Sequence, residues 1–380
     1  MEHFFADYSI GLLGGGQLGR MLIQAAVDYN LSIHVLDPDK EAPCKHWASS
    51  FTVGNLKDFD TVYQFGKDKD LLTIEIEHVN VEALKKLVSE GVKVYPQPEI
   101  IELIQDKRTQ KSFYSEHHIP TAPFVLIDSK DQIAQHKSML PAVHKLGKEG
   151  YDGRGVKKID TLEDAANSFT QPGLLEKRIA FSKELSVIVA RNPNGEVTTF
   201  PTVEMVFHPV YNLVEYLFAP AEITDDLHNK AAKIAVDVIS KLGLVGVLAV
   251  EMFLTPEGEI LVNEVAPRPH NSGHQTIRAN ATSQYEQHWR AILNMPLGDT
   301  EQLCPAAMLN LLGAEGHEGV ATYNGLEEAM KIPGVFPHLY GKKMTKPFRK
   351  MGHVTVLDST IEGLQKKADK IKTAIQVVAE

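Results

Sequence analysis

The sequence predicts an α/β and α+β chain: an N-terminal doubly wound parallel sheet, two α+β subdomains after it, and a small C-terminal domain. Three observations predict this. Strand and helix patterns alternate through the first hundred residues, strand patterns follow one another from Glu184, and 380 residues exceed one ordinary domain.

SIGLLG (9–14) reads as a buried strand, and QLGRMLIQAAVDY (17–29) spaces its apolar residues as a helix does. SIHVLD (32–37) is a second strand; LLTIEIE (71–77), VEALKKLVSE (81–90) and VKVYP (92–96) complete a strand–helix–strand unit. The stretch 98–118 reads as one helix, which Pro120 and Pro123 stop. A first boundary falls near Leu103, giving an N-terminal unit of 1–102. Short strands and helices around GKEGYDGRGV (147–156) then form a small subdomain, 103–182. ELSVIVAR and EVTTFPTVE flank the turn NPNG, where Asn194-Gly195 marks a hairpin. A helix over 225–242 leads to VGVLAVEMFL (245–254), a turn, and EILVNEV (259–265), within a larger subdomain, 183–320. The segment 321–380 holds a helix near 326–331, strands at 335–340 and 352–357, and a helix from Thr360.

Composition narrows the function. The apolar fraction of 43% and charged fraction of 23% are those of a globular enzyme. A formal charge of −10 argues against non-specific nucleic-acid binding, which needs a basic surface. Two cysteines, Cys44 and Cys304, leave no room for a disulfide framework and fit a reducing compartment. The start MEHFFADYSI lacks a basic n-region, and no run approaches the roughly 18–20 apolar residues that span a membrane. The expectation is a soluble, cytoplasmic protein.

Three constellations carry chemistry. Gly14, Gly16 and Gly19 satisfy G-x-G-x-x-G between a strand and a helix, with Asp37 ending the next strand, as in a dinucleotide site. The same turn also serves other anions, or only packing. GYDGRGV (150–156) places three glycines within six residues beside Asp152, Arg154 and Lys157, with Lys145 ending the preceding strand. Glycines let backbone N–H groups converge on phosphate oxygens, and Arg154 adds a guanidinium fork; a plain Asp-Gly hairpin accounts for only one of the glycines. The third is the hairpin VGVLAVEMFLTPEGEILVNEV. With Glu257-Gly258 as its turn, residue 254 pairs with 261 and Glu251 faces Glu264. Opposed carboxylates destabilise an apolar ladder. A magnesium ion between them removes the penalty and keeps sites for water and phosphates. Solvated rim glutamates, or one neutral partner, are the alternatives.

The order of these parts resembles the ATP-grasp superfamily, in which two α+β subdomains close on ATP. GGGQLGRM (14–21), GYDGRG (150–155), NEVAPRPHNSGH (263–274) and YGK…RKMGHVT (340–355) are similar to the N5-carboxyaminoimidazole ribonucleotide synthetases of that superfamily. The resemblance implies an ATP-grasp fold with a pre-ATP-grasp domain at the N-terminus. Many ATP-grasp enzymes carry an asparagine two positions after the second glutamate, where Ala266 stands here. The stretch 203–216 lacks the family's usual Asn-x-His, which leaves a nucleotide contact from His208 unsupported.

The resemblance also implies roles. Arg108 and Lys145 would meet ATP phosphates under the loop Gly150, Tyr151, Asp152, Gly153, Arg154, Gly155, Val156. The backbone of Glu176, Lys177, Arg178 and Ile179 would read adenine, and Glu184 the ribose. Glu251 and Glu264, with Asn263 beside them, would bind magnesium, two ions in all. Asp152, Arg268, His270 and Asn271 would form the reaction centre. Gln17, Glu75, Arg154, Lys342 and Arg349 would hold aminoimidazole ribonucleotide; without the resemblance the lysine-rich 342–350 stretch reads as a solvated loop. The implied reaction is ATP- and bicarbonate-dependent carboxylation of that nucleotide through carboxyphosphate in purine biosynthesis, by a homodimer. A formate-using ATP-grasp transformylase of glycinamide ribonucleotide and an NAD-dependent protein are the other readings.

Overall fold

The computed structural model describes residues 7–148, 155–207 and 214–379. Its N-terminal unit is a five-stranded parallel sheet, β1 (Ser9–Leu13), β2 (Ser32–Asp37), β3 (Ser50–Val53), β4 (Leu71–Ile74) and β5 (Lys93–Val94), in the order β3-β2-β1-β4-β5. Helices α1 (Gln17–Val27), α2 (Phe59–Gly66) and α3 (Val81–Ser89) connect the strands. Asp58 and Asn80 cap α2 and α3 by accepting the N–H groups of Thr61 and Ala83.

The segment expected as one helix over 98–118 is two, α4 (Pro98–Gln105) and α5 (Lys107–Glu116). Asp106 breaks it by taking extended backbone, with φ −120° and ψ 112°, and caps α5 through the Arg108 N–H. A four-stranded antiparallel sheet follows: β6 (Phe124–Ile127), β7 (Ala142–Leu146), β8 (Val156–Ile159) and β9 (Gly173–Lys177), ordered β6-β9-β7-β8.

The largest sheet begins with β10 (Lys183–Arg191), β11 (Val197–Thr199), β12 (Val203–Phe207) and β13 (Val214–Ala219). EVTTFPTVE is therefore two strands, broken where Pro201 has no N–H to give a ladder. After α6 (Asp225–Leu242) come β14 (Gly246–Leu254), β15 (Ile260–Ala266), α7 (Thr276–Ala279), α8 (Gln284–Ile292) and β16 (Ala306–Leu312). The chain ends with β17 (Gly319–Asn324), α9 (Leu326–Met330), β18 (Val335–Leu339), β19 (Met344–Thr345), β20 (Lys350–Leu357), α10 (Ile361–Ala374) and β21 (Gln376–Ala379). The sheet order β15-β14-β10-β12-β13-β16-β20-β18 joins strands on both sides of residue 320, which itself falls inside β17. Among the described residues no helix is long and apolar enough to cross a membrane.

Two cores position the site. Ala231, Ala235, Val238 and Ile239 of α6 pack on Val187, Leu248 and Val250 of the large sheet. Tyr285 and Trp289 of α8 and Tyr340 pack into the N-terminal unit with Leu18, Leu22 and Cys44. The indole N–H of buried Trp289 donates to the Leu22 carbonyl at 2.8 Å, satisfying its polar edge and tying α1 to the large subdomain. The glycine turn is thereby held beside the 340–350 segment.

Candidate active site

The carboxylate hairpin has the expected partners by an unexpected register. Leu254 pairs with Ile260 and Met252 with Val262, because the turn spans Pro256–Gly258, with Gly258 at φ +83°. This three-residue turn with a left-handed glycine shifts the ladder by one residue from the expected pairing. A bulge between Glu251 and Met252 shifts it back, so Glu251 still faces Glu264. The extra residue is Asn263, and its amide oxygen lies 2.9 Å from Lys145 Nζ.

Each carboxylate has its own polar partner. Lys107, in the first turn of α5, pairs with Glu264. His270 Nε2 lies 3.2 Å from Glu251 Oε1. Lys107 holds Glu264 well below the usual carboxylate range, whereas burial, then Glu264 and Glu184, push Glu251 up. Glu184 sits on neighbouring β10, whose Ser186 pairs with Glu251; burial and the charge of Glu264 raise its pKa to about 7. Among the described residues no group of three or more His, Cys, Asp or Glu side chains forms a metal cage. Two opposed carboxylates without a cage fit magnesium, which completes its shell with water and phosphate oxygens.

The phosphate side is built on β7 and β9. Lys145 Nζ contacts Glu176 Oε1 at 3.0 Å, and Lys111 Nζ contacts Glu176 Oε2 at 2.7 Å. Arg108, expected on the phosphates, instead forks onto Asp106, with its Nη2 2.6 Å from Oδ2. It still stands beside the loop, since a Cβ at Gly147 would lie 2.8 Å from its Nε. Gly150, Tyr151, Asp152, Gly153 and Arg154 lie outside the described residues, as does His208. The loop's exit is defined: Gly155 adopts φ +78°, its carbonyl accepts the Leu146 N–H at 2.8 Å, and Val156 pairs with Lys145.

In the 176–179 segment the N–H groups of Lys177 and Arg178 are already committed, to the carbonyls of Pro123 and Pro141. Phe181 stacks on Phe253 nearby, ring centroids 4.8 Å apart, and offers apolar surface for a base.

The loop after β15 is tightly held. Arg268 Nε lies 2.8 Å from Glu77 Oε1, and its Nη1 donates to the Pro269 carbonyl at 3.1 Å. Gln284 clamps His270 by accepting its N–H at 2.9 Å and donating to its carbonyl at 2.7 Å. Asn271, expected at the reaction centre, exchanges two amide hydrogen bonds with Asn310, at 2.9 and 3.1 Å. That pairing makes Asn271 a tie between the loop and β16.

On the N-terminal side the glycine turn is filled from within. Glu75 accepts the N–H groups of Gly16 and Leu18, each at 3.2 Å, and Asp37 accepts the Gly15 N–H at 2.6 Å. The donors a dinucleotide pyrophosphate would need are taken by the protein's own carboxylates. Glu75 is therefore a cap of α1 first; Gln17, the first residue of α1, stands beside it. Lys342 Nζ donates to the Lys350 carbonyl at 2.8 Å, and Arg349 Nη1 donates to the Met344 carbonyl at 2.7 Å.

Sequence reasoning missed Lys107, Lys111, Glu77, Gln284, Asn310, Arg20 and Lys350. Arg20 approaches Gly341 so closely that a Cβ there would lie 2.4 Å from its Nη1. The charge of Lys350 reaches Glu251 and offsets part of its rise. One signal was available: Lys107 and Lys111, four apart, share a helix face.

The chain matches three family models: a ribonucleotide synthetase preATP-grasp domain over residues 8–105, an ATP-grasp domain over 112–285, and a phosphoribosylaminoimidazole carboxylase C-terminal domain over 306–367. It is 39% identical over 356 residues to N5-carboxyaminoimidazole ribonucleotide synthase of Bacillus subtilis, covering 92% of this chain and 91% of that protein. Against the chloroplastic phosphoribosylaminoimidazole carboxylase of Vigna aconitifolia it is 38% identical, over 94% of this chain but only 65% of the plant protein's length. The crystal structure of N5-carboxyaminoimidazole ribonucleotide synthetase from Thermotoga maritima superposes with a TM-score of 0.91 at 43% identity, covering 98% of this chain and 100% of that one. An Aspergillus clavatus synthase in complex with ADP and 5-aminoimidazole ribonucleotide superposes with a TM-score of 0.88 at 33% identity, covering 97% and 99%.

Proposed function

Because the chain belongs to the N5-carboxyaminoimidazole ribonucleotide synthase family, we propose that its site carboxylates 5-aminoimidazole ribonucleotide with ATP and bicarbonate. It is an ATP-dependent carbon–nitrogen ligase of purine biosynthesis. The observation that carries the reading is the meeting of Glu251, Glu264, Lys107, Lys145 and His270 around one hairpin.

In the proposed course, Lys145 and Lys107 attract the ATP phosphates, Glu184 accepts from the ribose hydroxyls, and the 150–156 loop covers the nucleotide. Glu251 and Glu264 would hold magnesium, two ions in all, which would supply positive charge to offset that of the phosphates. A bicarbonate oxygen bonds to the γ-phosphorus as the bond to the ADP oxygen breaks, giving carboxyphosphate. Arg268 stabilises the charge that develops there, pre-aligned by Glu77. Carboxyphosphate then loses phosphate, and the released carbon dioxide accepts the electron pair of the exocyclic amine. One amine proton leaves to the departing phosphate. His270 contributes an Nε2–H, because its Nδ1 accepts the Ser272 N–H at 3.3 Å. Asp152 would close the centre with the loop, and Asn271 would hold the loop that carries His270. Lys342, Arg349, Arg154 and Arg20 would face the 5′-phosphate, with Gln17 and Glu75 toward the ribose.

Functionally the chain divides into 1–102 for the ribonucleotide, 103–182 and 183–320 for ATP, and 321–380 completing the ribonucleotide site. The same reading makes it a cytoplasmic homodimer; the free thiols of Cys44 and Cys304 suit a reducing compartment.

The test is ADP release with substrates added singly in bicarbonate-depleted buffer. Release requiring aminoimidazole ribonucleotide, bicarbonate and magnesium together is expected. Stimulation by formate with glycinamide ribonucleotide instead would reassign the enzyme to the transformylases.

A further inference from the structure

Glu176 is buried with two ammonium groups on its one carboxylate. Lys145 takes Oε1 and Lys111 takes Oε2, and the side chains of Lys111 and Glu176 are only 3% and 4% exposed. A buried carboxylate needs a single cation to be neutralised, and each further buried ammonium adds desolvation cost. The second lysine therefore leaves the cluster one positive charge in excess, and Lys145 touches the carboxylate hairpin directly, at Asn263.

We propose that Lys111 is a positioning residue for ATP: by neutralising Glu176 from behind, it leaves the charge of Lys145 available to the nucleotide phosphates. This rests on the reading that Lys145 meets those phosphates. Without Lys111, Glu176 and Lys145 form a one-to-one pair, and ATP must compete with a buried carboxylate for the same ammonium.

A second connection supports the role. Lys111 also donates to the Thr121 hydroxyl, which donates to the Val262 carbonyl at 2.6 Å. Val262 precedes Asn263, the bulge residue whose amide oxygen is the other partner of Lys145. Both groups that aim Lys145, Glu176 and Asn263, are thus braced by Lys111. Burial and charge agree. Burial pulls Lys111 down to about 8 against the pull of Glu176, while Glu176 stays below its ordinary value despite burial because two lysines face it.

The experiment is calorimetric titration of ATP with magnesium into the full chain, without ribonucleotide, alongside urea unfolding of every variant. Lys111→Met is expected to raise the Kd for ATP about 10-fold or more. Lys111→Arg, which keeps the charge, should stay within about threefold of wild type. The double variant K111M/E176Q should return to within about threefold of E176Q alone, because a neutral amide no longer competes for Lys145. A purely structural lysine would lower the urea midpoint and leave the Kd unmoved. An unchanged Kd in Lys111→Met, or no recovery in the double variant, would overturn the role of Lys111. Wild-type protein that bound no ATP would overturn the nucleotide reading itself.

Discussion

His270 Nε2 stands 3.2 Å from Glu251 Oε1, and the opposite ring nitrogen accepts the Ser272 N–H. The hydrogen bond at Nδ1 assigns the ring proton to Nε2, so the neutral imidazole is a donor toward the carboxylate pair. His270→Phe keeps the ring volume and removes both nitrogens. It is expected to lower kcat about 100-fold or more while the KM for ATP stays within about twofold. A loss of thermal stability with kcat preserved would reduce His270 to a purely structural residue.

The two hairpin glutamates are expected to respond oppositely to amide substitution. Glu251→Gln removes a carboxylate facing Glu264 and should stabilise the metal-free protein by about 0.2–1 kcal/mol. Glu264→Gln strips Lys107 of its partner. Glu264 is 40% exposed, so solvent screens part of the loss, and destabilisation of about 1–2 kcal/mol is expected. Both should lose magnesium-dependent turnover. Urea unfolding in the presence of chelator checks the asymmetry; equal shifts of one sign would contradict it.

That asymmetry shows what the sequence could and could not reveal. A turn at Glu257-Gly258 puts Glu251 opposite Glu264 in the sequence, yet two offsetting irregularities brought them there, a longer turn and a bulge. Neither leaves a pattern in hydrophobic periodicity, and the bulge is what sends Asn263 to Lys145. The parallel N-terminal sheet was legible where its strands are buried, as in β1 and β4, and alternate with amphipathic helices; the exposed edge strand β3 carries no such pattern and was not read. Lys107 and Lys111 were not, because the helix over 98–118 read as continuous and their partners lie far away in sequence. Asp106 restarts the helix and points Lys107 at Glu264, 157 residues on.

Glu75 supplies a pH-dependent prediction. Burial, only partly offset by the Gly16 N–H and Arg268, raises its pKa from 4.5 to about 7. Between those values the folded state binds the proton that the unfolded chain has lost, so stability falls as pH rises through the window. Glu75→Gln lacks this titration. Wild type should therefore be most stable relative to Glu75→Gln near the lower value, with the difference shrinking until about pH 7 is passed. Urea unfolding of both proteins across that range checks it, and a pH-independent difference would show that Glu75 keeps an ordinary pKa.

The same carboxylate bears on nicotinamide binding. With Glu75 and Asp37 on the N–H groups of the glycine turn, NADH is expected to show no saturable fluorescence change at micromolar protein. Micromolar affinity would mean that these carboxylates swing out for an anion.

The ribonucleotide phosphate separates three basic residues that look alike in sequence. Arg349 spends a guanidinium N–H on the Met344 carbonyl of its own loop, and Lys342 reaches the Lys350 carbonyl at the start of β20. Arg20, at the glycine-turn end of α1, comes from the opposite side and meets Gly341. A phosphate seated between the turn and this loop would draw on Arg20 and Lys342 directly, and on Arg349 mainly through loop shape. Each lost charge-assisted hydrogen bond costs about 1.5–3 kcal/mol, or roughly a 10- to 150-fold loss in kcat/KM. Arg20→Ala and Lys342→Ala are expected in that range for aminoimidazole ribonucleotide, and Arg349→Ala below about 10-fold. The KM for ATP should hold in all three, because in the proposed site the ATP phosphates would meet Lys145 and the glycine loop. Steady-state kinetics with each substrate varied in turn decides the matter. Equal losses for both substrates would place these cations on ATP, and no loss would leave them as solvated surface charge.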